Sequence, residues 1–465
     1  MDFRKLAEDE KRSFLNDLNT IVSVNSVRDE STAGPGKPFG NGPKEALDAM
    51  LDIAEKDGFA VKNIDGYAGV VEYGDPENPD TLGILGHLDI VPLGEGWTKE
   101  PLKLTESGGY LFGRGVLDDK GPTMAAYYAL KLIRDAKIPL KKRVMLVMGC
   151  DEESGMECMN YYLSHAEIPK TGFVPDADFP VIYGEKGGAH VVLESSQPTV
   201  IRSLKAGSRP NIVIGKADAV TDQATDLQKE LFAFFLKANA LEGSAQDNAD
   251  GTTTWHIEGM PSHAAWPYKG INAAVQLLRF IGAAYDDRLA QALGWLTADW
   301  TGKNLGIAQD GLYMGMLTQN PGIVDIENGR ASVLLDIRYP NETNGHEILE
   351  KIQAACQKAD PEIHAVLKSD SKPLFVDPDS NLVRTLMDVY RKHTGDTYSP
   401  AITIGGGTYA RKFENFVSFG PELPNDVKTT DQFVGGPHQR DEGIRESDLI
   451  NAIAIYADAI LRLAA

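Results

Sequence analysis

Over its first 185 or so residues the chain alternates between two hydrophobic periods. Apolar residues recurring every three to four positions mark amphipathic helices at 2–20, 43–57 and 123–136, whereas short unbroken apolar runs at 81–86 and 143–149 mark strands buried on both faces. Strands feeding helices in this way predict an α/β sheet. From about 189 to 376 the pattern changes. Strand-like stretches at 190–194 and 329–339 mix with helical ones near 227–241, 271–285 and 346–359, which predicts an inserted α+β domain. After Asp377-Pro378-Asp379 a helix at 381–393 resumes the first style, and an apolar-rich helix at 447–463 closes the chain. The expected organisation is a discontinuous domain, 1–188 and 377–465, interrupted by an insertion over 189–376.

Open α/β sheets bind ligands just past the carboxyl ends of their strands, and the conspicuous polar residues fall there. His87 ends one buried run in Gly86-His87-Leu88-Asp89, and Glu153 follows another in Asp151-Glu152-Glu153-Ser154-Gly155. Asp118 lies in the loop Gly113-Arg114-Gly115-Val116-Leu117-Asp118-Asp119-Lys120-Gly121 ahead of a helix, and Asp176 follows Gly172-Phe173-Val174-Pro175. His438 comes from the last part of the chain. A pair of divalent cations about 3.5–4 Å apart needs a bridging carboxylate, terminal ligands on each ion and a shared water whose pKa they depress. Asp118 is the expected bridge, His87 with Asp176 would complete one ion, and Glu153 with His438 the other. Nitrogen and oxygen donors of this kind suit zinc, and a carboxylate-rich set also accepts manganese or cobalt. Of the two adjacent glutamates, one is then bound to metal and Glu152 is free to act as general base. Asp89 is expected to take the second N–H of the His87 imidazole through its carboxylate and fix the tautomer. Each of these residues alone has an ordinary explanation as a surface histidine or an exposed acidic turn; the conjunction carries the two-metal hydrolase reading.

Composition narrows the partners. The chain has 465 residues, long enough for two or three domains with real cores, and 46 Lys and Arg against 67 Asp and Glu, a formal net charge of −21. That balance argues against nucleic acid or an anionic membrane as partner. No apolar run approaches the roughly 18 residues needed to span a bilayer, and residues 1–10 lack the apolar core of a signal peptide, so a cytoplasmic location is expected. Three cysteines, Cys150, Cys158 and Cys356, form no C-x-x-C pair, which supports neither a disulfide framework nor a thiolate zinc site. The glycine turn Gly405-Gly406-Gly407-Thr408-Tyr409-Ala410-Arg411 is expected to open a helix and to offer the N–H groups of Gly406, Gly407 and Thr408 to an anion such as a carboxylate. It lacks the Gly-Lys-Ser/Thr ending of a nucleotide loop.

Together with Pro175-Asp176-Ala177-Asp178-Phe179-Pro180, these motifs resemble the signatures of the M20 metallopeptidases, and among them the PepV-type dipeptidases of bacteria. The resemblance runs over nearly the whole chain. It implies a zinc-peptidase-like catalytic domain, a mixed sheet flanked by helices, with an inserted α+β lid domain that mimics in one chain the second lid of dimeric relatives, hence a monomer. It also implies a cis peptide between Asp118 and Asp119, and matches His87, Asp118, Glu153, Asp176 and His438 to the ligands of two divalent ions, Glu152 to the base and Asp89 to the residue orienting the histidine. His438 follows Gly435-Gly436-Pro437, where relatives often place a methionine directly before the histidine. Three lid residues match substrate-contacting positions: Asn211 in Ser208-Arg209-Pro210-Asn211, His263 in Gly259-Met260-Pro261-Ser262-His263, and Arg338 in Leu335-Asp336-Ile337-Arg338-Tyr339-Pro340. His263 is suited to donate to an oxyanion, and Arg338 to clamp a terminal carboxylate bidentately. The expected activity is hydrolysis of dipeptides with a free N-terminus, β-alanyl ones included. Its rivals are an N-acyl-amino-acid amidohydrolase or carboxypeptidase of the same chemistry, and a non-catalytic protein that binds a peptide or metal.

Overall fold

Strands Thr81–His87 and Arg143–Gly149 are buried along their whole length, as continuous apolar runs require when both faces of a sheet are covered. The computed structural model to which they belong describes residues 1–424 and 429–465. The fold is mixed α/β, and the chain divides into two units, one formed by 1–184, 376–402 and 407–465, the other by 185–375 with 403–406.

In the first unit the sheet runs in the order Ala60–Ile64, Ala68–Tyr73, Arg143–Gly149, Thr81–His87, Thr171–Val174, Phe416–Ser418, Ile182–Glu185. Its centre is parallel: Thr81–His87 pairs in parallel with both Arg143–Gly149 and Thr171–Val174, and the latter with Phe416–Ser418. The hairpin of Ala60–Ile64 and Ala68–Tyr73 adds an antiparallel margin. Parallel neighbours send their carboxyl ends to the same edge, so His87, Gly149 and Val174 all finish on one side of the sheet. Helix Lys120–Asp135 begins close to that edge: a Cβ on Gly86 would lie 2.0 Å from Thr123 Oγ1 and 2.9 Å from Asp119 Oδ2, so only glycine admits the approach.

The closing helix Glu446–Ala464 is almost wholly buried and packs against Lys120–Asp135, Phe3–Val22 and Asn381–Thr394. Between the last two C-terminal helices Asp458 accepts from Lys392 Nζ at 2.7 Å and lies 3.1 Å from His393 Nε2, with Arg462 at 3.5 Å. Burial raises the proton affinity of Asp458, but the bonds from His393 and Lys392 and the charge of Arg462 outweigh it and hold the carboxyl well below its usual range. A depressed carboxylate pKa contributes stability that is present above the unfolded value of about 4 and lost as pH falls through the folded one. Asp458→Asn is therefore expected to cost about 1–3 kcal/mol at pH 7, with the gap to the parent chain narrowing below about pH 4; denaturant melts of both proteins at pH 7 and pH 3.5 measure it.

The second unit is built on an eight-stranded antiparallel sheet in the order Glu242–Asp247, Thr252–Glu258, Lys216–Asp222, Ile201–Ala206, Thr318–Glu327, Arg330–Tyr339, Gly187–Ser196, Ile363–Ser371. Helices Asp226–Ala238, Ala273–Tyr285, Arg288–Thr297 and Gly345–Ala359 contribute to its core. Phe232, Trp255 and Phe280 form an aromatic cluster with centroids 4.7 to 5.0 Å apart, and the indole N–H of Trp255 is satisfied by Thr221 Oγ1 at 2.8 Å. Among the described residues no helix is long and apolar enough to cross a membrane.

Candidate metal centre

The expected ligands of the first unit converge. His87 Nε2 lies 3.0 Å from Asp118 Oδ1 and 3.8 Å from Asp176 Oδ2, while His438 Nε2 lies 3.0 Å from Asp118 Oδ2 and 3.0 Å from Glu153 Oε2. Asp118 thus turns one carboxylate oxygen to each histidine, the disposition a bridging ligand needs. His87 is fully buried at the end of its strand, whereas the His438 side chain is half-exposed on a loop. The Asp118–Asp119 peptide is cis.

The charges in this cluster act on one another at close range. Burial disfavours the charged imidazole of His87, but the carboxylates of Asp118, Asp89 and Asp176 overcome that and push it well above its ordinary range. Hydrogen bonds to Asp118 and Glu153 likewise push His438 up to about 10. Asp118 shows the reverse: burial raises it, yet the two histidines draw it below the usual carboxylate range. Asp176 is pushed well up by burial and then by Asp119 and Asp118, and Glu152 by burial and then by Glu153, Asp118 and Asp89. So many mutually repelling carboxylates call for positive charge at their centre.

Divalent cations fit the donor set. Among the described residues two groups bring their ligand atoms within 4.8 Å of one another, His87 with Asp118 and Glu153, and His87 with Asp119 and Asp176. Glu153 Oε1 and Asp119 Oδ1 are buried without a hydrogen-bond partner among the described residues, which is how an atom aimed at a cation looks in a protein frame. Both groups differ from the expected pairing: the first joins His87 to Glu153, which were expected on different ions, and the second includes Asp119, which was expected to be no ligand; His438 is in neither. Asp119 Oδ2 already accepts from His87 N at 3.0 Å and Thr123 Oγ1 at 2.8 Å, so it chiefly fastens the His87 strand end to the helix. Asp118 instead turns one oxygen to each histidine.

One expected contact is different. The His87 Nδ1 faces the backbone carbonyl of Asp89 at 3.1 Å, with the Asp89 carboxylate farther away at 3.5 Å. That carboxylate accepts instead from the N–H of Glu152 at 3.0 Å and of Glu153 at 3.1 Å. Asp89 orients His87 chiefly through its main chain and uses its side chain to seat the turn carrying both glutamates. Two backbone N–H donors are a better match for a buried carboxylate than one ring N–H, which accounts for the exchange. Lys120 braces the same region: its buried ammonium donates to the carbonyls of Ile21 and Val24, both at 2.8 Å, and burial pulls its pKa down to about 7.

The remaining candidates divide between the units. In the second, the loops of Asn211 and His263 are neighbours, joined by Ala264 N to Asn211 O at 2.9 Å. His263 Nδ1 accepts from Ala265 N at 3.1 Å, which leaves the proton of a neutral imidazole on Nε2 as a donor. Arg338 donates from Nη2 to Oδ2 of the fully buried Asp336 at 2.8 Å, and its Nε lies 2.8 Å from Oδ1 without hydrogen-bonding to it. Gly406 belongs to the second unit, and Gly407 and Thr408 to the first. The helix expected after this turn is only the 3-10 turn Tyr409–Lys412, because Phe413 is already extended and leads into strand Phe416–Ser418. A four-residue turn has no appreciable dipole, so any anion held there is held by individual N–H groups. Cys150, Cys158 and Cys356 are buried free thiols.

A family model described as peptidase family M20/M25/M40 matches residues 83–462. A Bacillus subtilis (strain 168) chain provisionally named dipeptidase YtjP is 38% identical over 470 residues, covering 98% of each chain. A Staphylococcus aureus (strain USA300) chain with the same provisional description is 35% identical, covering 97% of this chain and 96% of its own. In fold the chain is similar to human carnosine dipeptidase 1, with a TM-score of 0.56 at 15% identity over 99% of both chains. The Saccharomyces cerevisiae di-peptidase Dug1p gives 0.57 at 14% identity over 99% of this chain and 97% of that one.

Proposed function

The chain belongs to the M20/M25/M40 peptidases and is a peptide hydrolase, and from that premise we propose that it is a dipeptidase working with two divalent cations, zinc first among them. The observation that carries the proposal is the Asp118 carboxylate with one oxygen 3.0 Å from each of two histidines. His87 and Asp176 would hold one cation, Glu153 and His438 the other, with Asp118 shared. The chemistry supplied by cations held there is polarisation of the scissile carbonyl and acidification of a water between them.

The chain's own residues do the rest. Glu152 accepts the proton of the attacking water and delivers it to the leaving amine, a role suited to a buried carboxyl whose proton affinity is raised. Asp89 keeps Glu152 and Glu153 in register through their N–H groups. His263 donates from Nε2 to the oxyanion, and Asn211 contacts the substrate from the neighbouring loop. Arg338, held by Asp336, binds the terminal carboxylate, with the N–H groups of Gly406, Gly407 and Thr408 as further donors. Recognition of both ends of a short substrate suits dipeptides with a free N-terminus, β-alanyl ones included. The names of the Bacillus and Staphylococcus relatives, both dipeptidases, support dipeptides as the substrate class and say nothing finer. The protein is proposed to act as a cytoplasmic monomer.

The test is hydrolysis of Ala-Ala, β-Ala-His, Ala-Ala-Ala and N-acetyl-Ala by chelator-stripped protein, with zinc, manganese or cobalt added back. Stripped protein is expected to be inactive, and added metal to restore cleavage of the dipeptides only. Cleavage confined to N-acetyl-Ala would make it an amidohydrolase, and metal binding without any hydrolysis a binding protein.

A further inference from the structure

The loops that carry Asp118 and His438 are locked together by a buried pair. Glu442 Oε1 accepts the N–H groups of Gly115 at 2.9 Å, Leu117 at 3.0 Å and Asp118 at 3.2 Å, while Oε2 accepts from Arg114 Nη1 at 2.5 Å. The other arm of the guanidinium, Nη2, donates to the carbonyls of His438 at 3.3 Å and Leu93 at 3.2 Å. Arg114 is 1% exposed and Glu442 0%. The main chain follows the same route, with Gly113 N donating to Glu442 O at 3.1 Å and strand Gly443–Arg445 pairing with Tyr110–Phe112.

His438 needs such a hold. Its φ is +65°, in the left-handed region that a non-glycine residue occupies only where its surroundings fix it. Arg114 grips its carbonyl, and a turn from Gln439 N to Gly436 O at 3.1 Å closes the other side. A buried ion pair is a poor source of net stability, since desolvation offsets most of the Coulombic gain. This one supplies geometry: the carboxylate that seats the amide of Asp118 also anchors the guanidinium that holds His438.

We infer that Arg114 and Glu442 are positioning residues that set the distance between Asp118 and His438, and so govern the affinity of the cation shared by Asp118, Glu153 and His438. The inference rests on the two-cation reading. Arg114→Lys keeps a positive charge against Glu442, but one ammonium cannot span both Glu442 and the His438 carbonyl. Cobalt(II) titration of the stripped full-length chain, followed by absorption and calorimetry, is expected to show two ions in the parent. In Arg114→Lys one of the two should bind about 10–100-fold more weakly, with the other unchanged. In a His438→Ala background, where only one ion remains, adding Arg114→Lys should leave its affinity unaltered. Should Arg114→Lys not fold, the isosteric Glu442→Gln, which keeps an oxygen for the three amides but weakens the anchor for Arg114, carries the same test and is expected to weaken the same ion. A lowered Tm with both cobalt affinities at parental values, or equal weakening of both ions, overturns the inference alone. Fewer than two ions in the parent overturns the two-cation reading and the inference with it.

Discussion

Replacing Asp118 by alanine is expected to strip the protein of both metal ions and reduce dipeptide turnover to background. The reason lies in how few ligands each ion has. His87 approaches one oxygen of the Asp118 carboxylate and His438 the other, so in the proposed two-cation site its removal would take one ligand from each ion and leave two histidines without the carboxylate 3.0 Å away. Losing merely an outer-shell partner costs about 10–100-fold in metal affinity, and a shared ligand counts twice. The backbone of residue 118 is tied independently by Glu442, so the variant should fold, and its metal content after gel filtration, read by mass spectrometry, separates ligand loss from unfolding. Retention of two ions by Asp118→Ala would show that another carboxylate bridges, with Asp119 the first to examine.

Glu152→Ala should have the opposite signature. Turnover is expected to fall by about 10²–10⁴-fold, the range for loss of a positioned general base, with metal content remaining near two ions. Glu152 is separated in role from its neighbour by geometry. Glu153 Oε2 points to His438 at 3.0 Å, whereas Glu152 enters no ion pair among the described residues and has its proton affinity raised by burial and by the charges of Glu153, Asp118 and Asp89. Glu152 is assigned to neither ion, so metal binding should stay close to that of the parent. Metal loss in this variant, or turnover within a few-fold of the parent, contradicts the assignment.

Much of the first unit was legible because its strands are buried on both faces: 81–86 and 143–149 read as apolar runs and appear as Thr81–His87 and Arg143–Gly149. The helices near 2–20, 381–393 and 447–463 likewise carry strong periodicity and appear as Phe3–Val22, Asn381–Thr394 and Glu446–Ala464. Strand Glu242–Asp247 was invisible because every residue of Glu-Gly-Ser-Ala-Gln-Asp is exposed, and main-chain pairing with Thr252–Glu258 alone makes it a strand. The first strand of the margin, Ala60–Ile64, escaped notice for a similar reason, being mostly exposed.

At the candidate centre His87, Glu153 and Asp176 stood out because they end or follow buried strands, while Asp118 and His438 come from loops. The finer contacts did not stand out. A spacing of two residues between His87 and Asp89 is compatible with a bond through the side chain or through the carbonyl, and only the competing demand of the Glu152 and Glu153 amides decides it. Glu442 carried no local signature at all, since its partners Gly115, Leu117 and Asp118 lie more than 320 positions away in the chain.

Anomalous diffraction from crystals grown with zinc tests the central claim most directly. Two peaks about 3.5–4 Å apart are expected, one within about 2.0–2.2 Å of ligand atoms of His87, Asp118 and Asp176, the other equally close to Asp118, Glu153 and His438. A single peak, or two peaks that do not share Asp118, would contradict the two-cation account.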